Sequence, residues 1–278
     1  VIELYDSHGI PPELVKEKVE KMGLKVEVPD NFYEVIAQRH YKPEVKPKAS
    51  VYDRYEEYLK KLPETKLLYY EDPRARRFRA RVLACLDGRY VVLDKTAFYP
   101  EGGGQLYDTG YIKHSKGVSR VLEVQKHKHY VIHVVDKPVP AGEEVECEID
   151  WNRRARLTRH HTATHIILGA ARRVLGSHVW QAGSKKDENE ARLDISHYKR
   201  ISREELEKIE ELANKVVMEN RKVNVKFVDR GEAERTYGFR IYQGGVVPGE
   251  KLRIVEIEGW DVEACGGTHC ATTGEVGF

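Results

Sequence analysis

At positions 160–165 the chain reads His160-His161-Thr162-Ala163-Thr164-His165. Two of these imidazoles, His161 and His165, are four residues apart. On a helix, residues i and i+4 lie one turn apart on the same face, so both rings can reach one ion. A second stretch, Cys265-Gly266-Gly267-Thr268-His269-Cys270, repeats the spacing with Cys265 and His269. Either pair alone carries little, because His-x-x-x-His is common on helices that bind nothing. Together they supply four N and S donors, the number and type that zinc takes. The chain is therefore expected to fold back so that His161, His165, Cys265 and His269 meet at one Zn²⁺. The glycines of the second stretch argue for a loop with close backbone approach. A metalloprotease is excluded, since that chemistry uses His-Glu-x-x-His with the Glu as general base, and position 162 is Thr.

Working outward, the histidines sit in the longest predicted helix, 155–175. Arg153, Arg154, Arg156 and Arg159 come just before the histidines. Such a run is usually a solvated face, but beside a metal pocket it would also attract a phosphate backbone. A strand at 178–182 containing Gln181 follows, with a partner at 191–195. Ser202 with Glu205 forms a capping box that opens a helix to about 219. Residues 223–228 and 252–257 alternate as strands, and the chain reaches Phe278 in what reads as another strand.

Upstream, residues 66–150 carry the period-2 pattern of short strands. Those at 78–85 and 90–94 are joined across Asp87-Gly88, a strong hairpin signal. Further strands at 110–113, 120–125, 130–135 and 144–149 suggest a small antiparallel barrel. Within it lies Phe98-Tyr99-Pro100-Glu101-Gly102-Gly103-Gly104-Gln105, whose glycines free the backbone to approach a ligand or another segment. It matches neither the P-loop nor the dinucleotide fingerprint, and a tight barrel loop is the plainer reading. Residues 1 to about 62 read as helical. Pro12 opens one helix and Gly23 stops it, Asp30 or Asn31 caps a second through Arg39, and 52–62 forms a third. The two prolines and four charges of 42–48 make a linker. The expected class is α+β: a helical segment (1–65), an antiparallel β-barrel with a Gly-rich loop (66–150), and a zinc-binding α/β domain (151–278). In the last, the long His-bearing helix packs on an antiparallel sheet.

Composition bounds the rest. The chain has 278 residues, 33% charged and 40% hydrophobic, with a formal net charge of +2. Any nucleic-acid contact must come from local patches. No apolar run approaches the ~20 residues that span a membrane, and no secretory signal opens the chain. Cys85, Cys147, Cys265 and Cys270 are too few and too scattered for a disulfide framework, which points to a reducing cytoplasm. Cys85 and Cys147 read as barrel core, Cys270 as a small buried residue, and His127 and His129 as solvent-facing. The first residue is Val1, which suggests a piece of a longer protein.

Three linked motifs carry a resemblance. His161-Thr-Ala-Thr-His165, the run at 98–105 and Cys265-Gly-Gly-Thr-His269 occur in the order and spacing of the editing region of alanyl-tRNA synthetases. Gln181 and Arg192-Leu193-Asp194 match the region between the two metal motifs. The similarity covers roughly 75–278. Standalone alanyl-tRNA editing proteins share the motifs, but lack a stretch like Leu4-Tyr5-Asp6-Ser7-His8-Gly9-Ile10-Pro11, which looks like the synthetase segment preceding the editing domain. An internal fragment of a synthetase of archaeal type is therefore expected, truncated at its C-terminus.

The resemblance implies hydrolysis of the ester in Ser-tRNA(Ala) and Gly-tRNA(Ala), with tRNA(Ala) as partner and one Zn²⁺ as cofactor. ATP and Mg²⁺ would belong only to an aminoacylation domain outside this chain, and dimerisation to a C-terminal part beyond it. The catalytic candidates are Cys265, Gln181, Thr162 and Thr164, the last three as polar partners for the serine hydroxyl. Arg153, Arg156, Arg159, Gly103 and Gly104 are the candidate tRNA contacts, with Lys185 and Lys186 behind them. An ion that polarises the ester carbonyl or activates a water needs an open position; four simultaneous ligands would close the site, so the zinc would then position the substrate or the pocket, or one ligand would leave during the reaction. A zinc-stabilised tRNA-binding module without its own chemistry, and a standalone editing hydrolase, are the alternatives that the residues leave open.

Overall fold

The computed structural model describes residues 1–8, 10, 12–29, 32, 50–243 and 249–277. By contacts the chain divides into two units, Val1–Glu56 and Glu57–Phe278. In the first, helices run over Ile2–His8 and Pro12–Lys21, the latter opened by Pro12 as the sequence predicts, with Gly23 beyond it at φ +74°. The second predicted helix and the 42–48 linker lie outside the described residues apart from Phe32. Where one helix was expected over 52–62, a 3₁₀ turn (Asp53–Tyr55) leads into a short α-helix (Glu56–Leu59).

The second unit opens with a two-residue strand β1 (Lys66–Leu67), paired in parallel with β4 (Lys95–Thr96). Between and after them come β2 (Arg77–Leu86), β3 (Tyr90–Leu93), β5 (Gly110–His114), β6 (Gly117–His127), β7 (Tyr130–Val135) and β8 (Glu144–Ile149). These six close into an antiparallel barrel in the order β2-β3-β7-β6-β5-β8. Alternation drives it: in β8, Val145, Cys147 and Ile149 point inward while Glu144, Glu146 and Glu148 face outward. The Asp87-Gly88 turn takes φ +49° and +64°, the left-handed pair that a type I′ hairpin needs. Cys147 is core as expected, whereas Cys85 is only half-buried. His127 departs from its expectation. It is 8% exposed although, three residues after the inward-facing Val124, it projects from the outer side of β6, while its loop neighbour His129 is open to solvent.

Beyond the barrel a 25-residue helix, Trp151–Leu175, starts from Asp150, whose side chain accepts from Arg153 N at 3.2 Å. It packs against a hairpin of β9 (Gln181–Lys186) and β10 (Ala191–Ile195). The predicted strand 178–182 is thus displaced towards the C-terminus. Gly176 ends the helix at φ +116° and Val179 N closes a turn on its carbonyl, so pairing begins only at Gln181. Ser202 and Glu205 form the predicted capping box at the head of the helix Arg203–Met218. A three-stranded antiparallel sheet follows: β11 (Val223–Asp229), β12 (Lys251–Ile257) and β13 (Asp261–Ala264), in that order. One face buries Leu252, Ile254 and Ala264 against the helix Arg230–Tyr237 and its neighbours. The other carries Ile257 and Val223 against Ile166, Val216 and Val217 of the two longer helices. The expected final strand is instead a 3₁₀ turn, Thr273–Val276. Thr273 Oγ1 donates to Val216 O at 2.7 Å and Gly274 N to Asn220 Oδ1 at 3.2 Å, which turns the chain onto the end of the helix Arg203–Met218 after a single bridge of Thr272 to Lys222. The class is α+β, with a closed barrel and a long helix packed on sheet. None of the described helices is long and apolar enough to cross a membrane.

Candidate metal centre

The long helix presents His161 and His165 on one face, both nearly fully buried. Opposite them, the chain leaves β13 and enters the loop bearing Cys265 and His269. One donor atom from each of these four residues lies within 4.8 Å of every other. Cys265 Sγ is 3.2 Å from His161 Nε2 and 3.4 Å from His269 Nε2. A tetrahedral zinc with Zn–S of ~2.3 Å and Zn–N of ~2.0–2.1 Å spaces its S and N ligands by roughly 3.5 Å. His165 Nδ1 is buried with no hydrogen-bond partner among the described residues, its nearest charged neighbour being Asp261 Oδ2 at 3.9 Å. The donor set fits zinc in kind and in spacing.

Protonation agrees. Burial holds His161 and His269 well below the usual imidazole range and brings His165 down to about 3, so all three rings are neutral with a lone pair to offer. Burial raises the Cys265 thiol, against the Gly267 N–H that donates to Sγ at 3.4 Å. A bound cation reverses that balance, since a coordinating thiol is deprotonated.

A second layer orients the donors. His161 Nδ1 lies 2.8 Å from Gln105 Oε1, and the Thr268 amide donates to the same oxygen at 3.1 Å. A carboxamide oxygen only accepts, so Nδ1 carries the proton and Nε2 is left free to face Cys265. His269 Nδ1 faces Thr162 Oγ1 at 3.4 Å, with the same consequence for its Nε2. Thr162 Oγ1 also donates to Thr158 O and accepts from Cys270 N at 3.0 Å, pinning the cysteine loop to the helix. His165 Nε2 pairs with Glu263 at 3.2 Å. Glu263 is held well above the usual carboxylate range by burial and by Asp261 beside it. Burial raises Asp261 too, against Arg172 at 2.7 Å.

Gly267 and Gly104 explain the glycine-rich stretches. A Cβ at Gly267 would stand 1.9 Å from His161 Cε1, so only glycine lets the loop pass the ring. Gly104, at φ +74°, would place a Cβ 2.3 Å from Ser184 O. The Gly-rich run thereby docks onto β9: Lys186 N donates to Gly104 O at 2.6 Å and Leu106 N to Lys186 O at 3.1 Å. This docking delivers Gln105 to His161. Gly103 stays exposed, and a Cβ placed there would have His161 Cε1 as its nearest neighbour, at 3.8 Å.

The remaining predicted residues separate. Thr164 Oγ1 donates to His161 O at 2.7 Å, an internal helix contact. Gln181 begins β9, five residues and about 16 Å along the strand from Lys186. Lys185 is exposed, whereas Lys186 is buried and donates to Gly103 O at 3.0 Å and Ser184 Oγ at 2.6 Å. The arginine run divides by face. Arg154 is fully buried, both Nε contacts to the Asp108 carboxylate being 3.0 Å. Arg153 packs over Tyr107 and pairs with Glu188 at 2.9 Å. Arg156 and Arg159 line a groove of about 520 Å³ with His160, on the helix face opposite His161 and His165. His160 Nδ1 contacts Asp187 O at 2.7 Å. Gln105, Glu263 and Asp261 escaped the sequence reading. The visible signal was an amide closing the Gly-rich run and two carboxylates at i, i+2 just before Cys265.

With this geometry in place, comparisons become informative. The profile described as tRNA synthetases class II (A) matches residues 1–153, more than half of the 278. The chain belongs to that family. The second additional domain of threonyl and alanyl tRNA synthetases matches 252–278, the stretch that holds Cys265 and His269. Among similar proteins, an alanine–tRNA ligase of Methanopyrus kandleri is 54% identical over 100% of this chain and 31% of its own length. One of Pyrococcus abyssi is 55% identical over 100% of the chain and 30% of its own length. One of Ignicoccus hospitalis is 51% identical, at 100% and 31%. The chain therefore spans about a third of the length of the curated relatives it matches.

Proposed function

We propose that this chain is the proof-reading part of an alanine–tRNA ligase, and that it hydrolyses the ester of Ser-tRNA(Ala) and Gly-tRNA(Ala) in the cytoplasm. The observation that carries the reading is the meeting of His161, His165, Cys265 and His269, with Gln105 and Thr162 fixing two of the rings. The need is physical. An alanine pocket cannot exclude glycine, and one methylene is worth only about 1–3 kcal/mol. Serine adds a hydroxyl, which an apolar pocket rejects poorly. A second, hydrolytic site corrects both.

In this reading His161, His165, Cys265 and His269 hold one Zn²⁺, which supplies positive charge for the ester carbonyl or for positioning the aminoacyl group. Gln105 and Thr162 keep the Nδ1 protons of His161 and His269 in place. Of the polar side chains assigned to the serine hydroxyl, Thr162 touches the donor set through His269 Nδ1 at 3.4 Å, and the Thr164 hydroxyl is held by His161 O at 2.7 Å. Arg156 and Arg159, exposed on the far helix face, are available to the phosphates of the tRNA body. ATP and Mg²⁺ belong to the aminoacylation domain of such a ligase.

The test follows amino-acid release from Ser-tRNA(Ala) and Ala-tRNA(Ala), with and without zinc, and with Cys265→Ala. Rapid loss of serine, slow loss of alanine and collapse in a folded Cys265→Ala variant are expected. A folded, zinc-loaded protein that binds the tRNA and leaves serine attached would instead mark a zinc-stabilised binding module.

A further inference from the structure

The sheet face that carries Cys265 continues past the donors. Residues paired across an antiparallel ladder project to the same side. Phe227 on β11 pairs with Arg253 on β12, and Cys265 N donates to Arg253 O at 3.0 Å. A row Cys265–Arg253–Phe227 thus leads outward from the cysteine. With strands about 4.8 Å apart, the Phe227 Cα stands roughly 10 Å from that of Cys265.

The end of this row is an aromatic shelf. Phe227 is 57% exposed, and Val225, two residues back on the same side, is 44% exposed. Tyr70 leans over from the barrel side: its Oη donates to Gly266 O at 3.1 Å, and its ring meets Phe227 edge-on at 5.9 Å. The Arg253 guanidinium sits 5.0 Å from the Tyr70 ring centroid. Its Nη1 holds Cys265 O at 2.7 Å, while its Nε is buried with no partner among the described residues. A single exposed aromatic is ordinary on a protein surface. This one is joined through an arginine to the backbone of a candidate metal ligand, at a distance that one nucleoside bridges.

We propose that Phe227, flanked by Tyr70 and Arg253, stacks the last unpaired base of an RNA 3′ end whose aminoacyl ester lies at the His161–His165–Cys265–His269 cluster. The proposal rests on the proof-reading function above. Unpaired bases are bound by stacking on aromatic rings and guanidinium planes, which every base permits. A cation beside the shelf suits the phosphate preceding that base. The stacked base would hold the ribose, and with it the ester, at a fixed reach from Cys265.

The test uses the full-length zinc-loaded protein. The probe is an RNA acceptor stem whose terminal base is 2-aminopurine and whose 3′ end carries serine through a non-hydrolysable amide. Stacking quenches its fluorescence. Wild type should quench the probe, whereas Phe227→Ala should lose the quench and weaken binding by about 5- to 150-fold, the range for removing one ring from a stacked base. Phe227→Trp should restore both. On Ser-tRNA(Ala), Phe227→Ala should raise KM by a similar factor with kcat kept, and unchanged zinc content will show the centre intact. A wild type that is active and quenches, beside a Phe227→Ala variant that behaves identically, overturns the shelf. A wild type that neither binds the amide nor hydrolyses Ser-tRNA(Ala) removes the proof-reading function itself, and the shelf with it.

Discussion

Gln105 Oε1 accepts a hydrogen bond from His161 Nδ1 at 2.8 Å, across 56 positions of sequence. The contact joins the Gly-rich run between β4 and β5 to the first of the two metal-facing imidazoles of the long helix. Outer partners of this kind typically change metal affinity 10- to 100-fold. Gln105→Ala should therefore weaken zinc binding by about that factor, read by competition with a chromophoric chelator. Gln105→Glu, which keeps an acceptor at the same place, should retain more of the affinity.

Gly267 tests the close approach. A Cβ would stand 1.9 Å from His161 Cε1, and neither loop nor helix can yield that much without moving a donor. Gly267→Ala should abolish stoichiometric zinc binding in metal analysis of the purified protein. Gly266→Ala, whose Cβ would meet only Tyr70 Oη at 3.3 Å, should bind zinc nearly as wild type does.

Arg154 clamps the long helix to the barrel. Its guanidinium binds Asp108, donates to Ala97 O at 2.6 Å and reaches Pro73 O at 3.3 Å. Removing one partner of a buried pair leaves an uncompensated charge and costs about 3–5 kcal/mol. Arg154→Met should lower the melting temperature by roughly 6 to 20 °C in calorimetry. Adding Asp108→Leu should recover only part of this, because Tyr99 N, which donates to Asp108 at 2.6 Å, loses its acceptor.

His133 makes the barrel sensitive to acid. It is buried between Thr96 Oγ1 at 2.9 Å and Val91 O at 3.1 Å, and burial pushes its pKa down to about 4. Unfolded histidine titrates near ~6.5, so the unfolded chain takes up the proton first as pH falls. The contribution is complete above pH ~6.5 and is lost between there and pH ~4, about 3 kcal/mol in all. Denaturant unfolding at several pH values should show wild type losing more stability over this window than His133→Gln does.

The local features were legible in the residues. Alternation marked the barrel strands, Asp87-Gly88 marked its hairpin, Ser202 with Glu205 marked a capped helix, and the i, i+4 spacings marked all four donors. Each depends on neighbours within a few positions, where backbone geometry is decided by the local sequence. What the residues could not reveal was which surfaces face one another. Periodicity places Arg154, Thr158, His161 and His165 on one helix face, but it does not say that Asp108, Thr268, Gln105 and Glu263 cover it. Nor did it show that Arg154 is buried while Arg156 and Arg159 line a groove on the opposite face. Strand limits shifted for the same reason: 178–182 looked extended, yet pairing with β10 and docking of Gly104 moved the strand to Gln181–Lys186. Contacts between distant segments are chosen by the free energy of the whole packed chain, and only the folded arrangement expresses that choice.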